Sequence, residues 1–189
     1  MSQENVEIVR TPLGLPSATR RGRTLDERLY VRFPTLLPRL VSAVMDLRPR
    51  SHARRAFLSR LIRRGWAASD RGDLDLSLRG YDPEAEIRWP ETGASAIPDL
   101  QGVYRGHEGF RRVWLAMHEP WDVEVRLEEM IDAGDRLLVS GQVSARGRGS
   151  GIELSGPLFQ LLTFRGGRII GEQHFNNRDE ALEAAGLRG

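Results

Sequence analysis

Between Val123 and Phe175 apolar and polar residues alternate, and the alternation breaks only at short clusters rich in glycine, arginine and aspartate. A period of two belongs to extended strands with one buried face, so this part of the chain reads as a sheet built from hairpins. Val123, Val125 and Leu127 share one face of the first strand, and Asp132–Asp135 carries the turn dipeptides Ala-Gly and Gly-Asp. Leu137–Ala145, Ile152–Phe164 and Arg168–Phe175 follow, joined by Arg146–Gly151 and Arg165-Gly166-Gly167. GRGSG at 147–151 lies between strands and not ahead of a helix, so it reads as a hairpin turn and not as a phosphate loop. Ala85, Ile87 and Trp89 alternate with Glu86 and Arg88 and give one earlier strand.

The first part of the chain has a helical period instead. TPLGLPSATRRGR, residues 11–23, reads as linker. Leu25, Leu29, Phe33, Leu36, Leu37, Leu40, Val41 and Val44 then recur at three and four, interrupted by Pro34 and Pro38, with Thr24 and Glu27 as a capping box. Ser51 caps a second helix running to about Arg71. Its buried stripe is expected to be Phe57, Leu58, Leu61, Ile62 and Trp66, with Arg54, Arg55, Arg60, Arg63 and Arg64 on the wet face. A short helix follows over 74–81, another over about His107–Met117, and a last one over Asp179–Ala185 that Gly186 ends. ETGASAIPDLQG, after Trp89, is turn-rich and expected to be mobile. Helices followed by antiparallel strands argue an α+β fold with helices on one face of the sheet.

At 189 residues the chain is long enough for one domain plus an extension. The absence of cysteine excludes a disulfide framework, a thiolate nucleophile and a Cys-based zinc site, and it fits a reducing cytoplasm, the expected location. No 18-residue apolar run is present, so no membrane span is expected, and MSQENVEIVR lacks the basic start and apolar stretch of a signal peptide. All the basic residues are arginine. Residues 1–80 hold 16 Arg against 8 acids and residues 81–189 hold 12 against 18. Arginine clusters bind phosphates, yet the basic third lacks the interleaved aromatics of a stacking platform, so nucleic acid is not favoured as a partner, and engagement of an anionic surface by the Arg-rich helices stays open as a weaker reading.

Among groups able to do chemistry, His174 stands with Glu172 and Asn176 at alternate positions of the last strand. A carboxylate two residues away on one face could orient the imidazole and make it a general base. The same residues would equally serve as polar wall or interface, or be exposed; the opposite phasing turns Ile169, Gly171, Gln173 and Phe175 inward. Gln142 and Gln160, set among apolar strand neighbours, are ligand-orienting amides or cross-strand partners. In VYRGHEGFRRVW, 103–114, Gly106 turns the backbone and Glu108 complements the helix start, so His107 is read as structural. Trp114, four residues past Phe110, is the stronger candidate for lining a pocket. Trp66, Tyr81, Trp89, Tyr104 and Met130 supply further wall material. The four histidines are scattered, so no metal site and no cofactor are expected.

The segments AASDRGDLDLSLRGYDPEAEIRW (67–89), VYRGHEGFRRVW (103–114), LEEMIDAGDRLLV (127–139), GRGSGIEL (147–154), QLLTFRGGRII (160–170) and RDEALEAAGL (178–187) occur in the order and spacing of the SnoaL-like branch of the NTF2-like superfamily, which the chain resembles over residues 54–187. The resemblance implies a strongly curved, mainly antiparallel sheet wrapped into a cone, closed by about three helices around a central pocket. It implies a domain over 51–189, preceded at 1–50 by a linker and a helical lid or brace that the family lacks. It further implies binding of a small apolar molecule and a homodimer formed through the sheet. Cofactor-free acid–base chemistry of the isomerase, cyclase or hydrolase type is one reading, with His174 and Glu172 as its catalytic groups. A noncatalytic binding or dimerisation domain is the other.

Overall fold

The computed structural model describes residues 10–13, 22–49, 51–91 and 100–187. Most of the linker, the first nine residues and the centre of the turn-rich loop after Trp89 lie outside the described residues. In chain order the elements are β1 (Arg10–Pro12), α1 (Leu25–Arg32), α2 (Leu36–Met45), α3 (His52–Asp70) and α4 (Leu74–Ser77), which runs into a 3-10 turn. Then come β2 (Tyr81–Trp89), β3 (Gly102–Arg105), α5 (Gly106–His118), β4 (Trp121–Asp132), β5 (Arg136–Gly147), β6 (Glu153–Arg165), β7 (Arg168–His174) and α6 (Arg178–Ala184). The strands form one curved, unclosed seven-stranded sheet in the order β1-β4-β5-β6-β7-β2-β3, antiparallel except where β2 runs parallel to β7. Among the described residues no helix is long and apolar enough to cross a membrane.

Three register shifts interrupt this sheet, one of them between Tyr81 and Glu86 where β2 pairs with β7. In β4, Leu127 faces Gly141 and Glu129 faces Ser140, so Glu128 is an extra residue. In β7, Gly171 faces Thr163 but Ile169 faces Phe164, so Ile170 is extra. A bulge kinks its strand, adds twist and reverses which side chains face inward beyond it. Accordingly Val125 and Leu127 are buried before the first bulge and Met130 after it, all in one core cluster. Gly141 sits where β5 passes closest to β4; a Cβ there would lie 2.2 Å from the Arg126 carbonyl oxygen.

The inner face of the sheet packs on α2 and α3 through Leu37, Val41, Leu58 and Ile62. The outer face is covered locally by α6, whose Ala181 and Ala185 meet Ile131, Leu138 and Leu161. Three expectations are corrected here. Residues 10–12, read in part as linker, pair with β4 as an edge strand, a position that tolerates proline, and Leu13 behind them is buried in the core. Pro34 splits the first helical stripe into two helices, which rotates it, so Leu25, Leu29, Phe33 and Leu40 are exposed. Arg54, placed on the wet face, is 1% exposed. It grips Asp132 at 2.7 and 2.8 Å, donates to the Leu47 carbonyl at 2.9 Å, and also reaches the carbonyls of Met45 and Gly134. A full set of five donors in a fixed fork suits such a multi-point clamp, and it ties the end of α2 to the β4–β5 turn.

Candidate ligand cavity and its acid–base pair

Inside the sheet, between its inner face and α1, α2, α3 and α5, lies a cavity of about 140 Å³ with mostly apolar walls. A dry engineered cavity of about this size accepts a single aromatic ring, which sets the scale of what fits. Gln160, Glu172 and His174 bring polar groups to it from β6 and β7, and Glu27, Arg64 and Ser69 do so from the helices. Inward residues of β6 are Leu158, Gln160, Leu162 and Phe164, the alternate members of one strand. The bulge at Ile170 then lets Ile169 and, beyond it, Glu172 and His174 all face the cavity. The two phasings of β7 that the alternation sets against each other are therefore each realised, one on either side of the bulge. Gln173 is exposed, and Phe175 packs outside with α6.

Glu172 is 7% exposed and His174 6%. The Glu172 carboxylate accepts hydrogen bonds from His174 Nε2 at 2.7 Å and Gln160 Nε2 at 2.8 Å on one oxygen, and from the Tyr81 hydroxyl on the other. Burial by itself would push this carboxyl up. The bond and charge of His174, with the donors on Tyr81 and Gln160, outweigh burial and hold it below the usual carboxylate range. Burial and the neighbouring Glu172 charge push the Tyr81 phenol well above its ordinary value, so it stays protonated and donates. An ionised carboxylate only accepts, so His174 Nε2 carries a proton, and in the neutral form of the ring Nδ1 is the accepting nitrogen. Among the described residues nothing bonds that Nδ1. The Trp89 ring stacks on the imidazole at 3.7 Å and 9°. The imidazole is thus fixed at one edge by Glu172 and on one face by Trp89.

Gln160 is also buried, and its Oε1 has no partner among the described residues. Turning the amide over would set that oxygen against the carboxylate, so its orientation follows from Glu172. The Trp114 indole borders the cavity from α5 and donates to the Ser69 carbonyl at 2.8 Å. Trp66 on α3 and Phe110 on α5 complete this side, with Phe110 tilted against Tyr81 at 4.8 Å.

Of the residues singled out by sequence, the cavity wall includes Trp66, Tyr81, Trp89, Trp114, Gln160, Glu172 and His174. Four others lie elsewhere. Gln142 is exposed, because β5 turns Leu137, Val139, Gly141, Val143 and Ala145 inward and Gln142 falls between them. Met130 is wholly buried in core and does not reach the cavity. Tyr104, on edge strand β3, packs against the separate cluster of Ile87, Val113 and Met117. Asn176 follows the last paired residue of β7, in the turn leading to the Asn177 cap of α6, and so leaves the face shared by Glu172 and His174. His107 is half-buried at the start of α5, 3.4 Å from the Tyr81 carbonyl, and does not line the cavity. The N-terminal helices, expected as a lid or brace, contribute wall residues that the sequence did not single out: Glu27 and Tyr30 of α1 and Leu37 and Val41 of α2 line the cavity. Glu27 was legible only as a capping residue, and its carboxylate does accept the Thr24 N–H at 2.8 Å while meeting Arg71 at 3.3 Å.

Comparison with known proteins agrees with this architecture. The family model described as SnoaL-like domain matches residues 62–172. Among solved structures, an NTF2-like protein of unknown function from Burkholderia pseudomallei superposes with a TM-score of 0.53 at 18% identity, covering 65% of this chain and 92% of that one. An NTF2-like protein from Burkholderia thailandensis gives 0.53 at 24% identity, covering 68% and 94%. TerC, co-crystallised with polyporic acid, gives 0.50 at 21% identity, covering 65% and 96%. No curated protein matches the chain.

Proposed function

The chain belongs to the SnoaL-like domain family, and from that premise we propose that it binds a small, neutral, largely apolar molecule in this cavity and moves a proton on it without a cofactor. The observation that carries the reading is the Glu172–His174 pair, buried at the wall of a largely apolar cavity. With Nε2 donated to Glu172, Nδ1 of His174 is the base, and the carboxylate stabilises the imidazolium formed when it takes a proton. Glu172 itself is already saturated by three donors, which makes it a poor base and a good positioning group. Tyr81 spends its hydroxyl on Glu172 and serves to hold it. Proton removal next to a carbonyl is the step this set suits, and isomerisation or ring closure can follow from it.

The ligand is expected to be neutral because the buried charge of Glu172 repels an anion in a site where water cannot screen it. Trp66, Trp89 and Trp114 all border the cavity, so tryptophan emission reports on its occupant. 4-Bromophenol, a neutral heavy-atom quencher of one ring, should quench saturably. 4-Bromobenzoate should bind at least tenfold more weakly, and Val113→Phe, which fills the cavity from α5, should abolish saturation. Linear, equal quenching by both probes in both proteins would contradict the reading. Saturable binding without proton transfer in the exchange measurement described below would leave a noncatalytic binding domain.

A further inference from the structure

We propose that the outward face of the α1–α2 pair docks on an anionic lipid surface. On α1, Leu25, Leu29 and Phe33 stand four residues apart on one stripe and are 79%, 47% and 50% exposed; Leu40 of α2 adds a fourth apolar side chain at 38%. Four large apolar groups on two short helices exceed the scattered exposure ordinary for a soluble surface. The inward residues of the same helices, Glu27, Tyr30, Leu37 and Val41, face the cavity, so the exposed stripe is what remains once both helices have satisfied the interior.

The charge on this face is one-sided. Arg28, Arg32 and Arg39 are exposed, and among the described residues none of them has a carboxylate partner. The acids of α1 are occupied elsewhere: Asp26 pairs with Arg64 and Glu27 with Arg71. Asp46, at the far end of α2, is the exposed acid of the pair. The Arg32 guanidinium lies 5.9 Å from the centroid of the Phe33 ring. A convex ridge of apolar tips flanked by unpaired arginines offers no groove for a peptide, but it matches the plane of a bilayer. There the apolar side chains enter the headgroup boundary and the guanidinium groups stay at the phosphate level. This docking does not depend on what the cavity holds.

The full-length protein should co-sediment with vesicles of phosphatidylcholine containing a minority of phosphatidylserine, and not with phosphatidylcholine alone, with binding weakened by salt. Replacing Arg28, Arg32 and Arg39 together by serine should lower partitioning roughly 100-fold, at about 1 kcal/mol for each basic residue near the surface. Leu29→Ser with Phe33→Ser should also lower it, and all five positions are exposed, so the melting temperature should be kept. Equal binding to both vesicle types, binding unchanged in the triple variant, or no binding at all would overturn the proposal. A dimer in sedimentation velocity that Phe33→Ser dissociates would also overturn it, by assigning the face to a second copy of the chain.

Discussion

At the scale of single residues, the proposed chemistry turns on Glu172. A carboxylate this deeply buried survives as an anion only because three donors converge on it, so the same bonds stabilise the fold and prepare His174. Its pKa is held below the unfolded value of about 4.3. The group therefore contributes stability above that pH and loses it as the pH falls through the folded value. Glu172→Gln keeps the shape but removes the charge, and it should cost about 1–3 kcal/mol at neutral pH. In urea denaturation the gap between the two proteins should shrink below about pH 4. A gap that stays constant down to pH 3 would mean that Glu172 is not held as an anion. The alternation on β7 made the neighbourhood of Glu172 and His174 visible in the sequence. Their common wall with Gln160 and Tyr81 was not, since it depends on pairing across β6 and β2. For the two glutamines, parity alone separates them: Gln160 is in step with Leu158 and Leu162, whereas Gln142 is out of step with Val139 and Val143.

At the scale of elements, strands and helices follow from period and punctuation, and the departures follow from bulges and prolines. The bulge at Ile170 cannot be read from a sequence that alternates on both sides of it, and it is what admits Ile169 and Glu172 to one cavity. Pro34 was visible as an interruption, but the rotation it imposes on the apolar stripe becomes visible only when α1 and α2 pack separately. The β6–β7 turn fixes where α2 sits. Gly167 has φ +74°, and a Cβ on it would stand 1.9 Å from the Pro38 carbonyl oxygen and 2.8 Å from the Ser42 nitrogen. Gly167→Ala should force α2 off the turn, cost about 1–3 kcal/mol, and speed tryptic cleavage within α1 and α2. Gly134→Ala isolates the backbone contribution, because Gly134 has φ +86° with open space around it. The account requires the Gly167 variant to be cleaved faster than the Gly134 variant; equal rates would mean that α2 does not lean on this turn.

At the scale of the whole molecule, α1 and α2 precede the segment that matches the family, and both contribute to the cavity wall. The cavity is closed by α1 and α2, clamped through Arg54 at one end and through the Arg23–Asp73 pair, 2.7 Å apart, at the other. The family and its cone were legible because the matched segments carry turn and strand signals in a fixed order. The helical segment was legible as a lid or brace, but its inward residues were not, because they are set by tertiary contacts formed far along the chain. In the proposed reaction His174, held by Glu172, exchanges protons with a neutral ligand in this cavity. Deuterium incorporation into cyclohexanone, a neutral ketone of one ring, followed by NMR in D2O, tests it. The wild-type protein should accelerate exchange at the carbon next to the carbonyl by about 100-fold or more over buffer, the low end of general-base catalysis. His174→Gln should return the rate to the buffer level while remaining folded. Equal acceleration by both proteins, or none by the wild type at a concentration where cyclohexanone occupies the cavity, would contradict this.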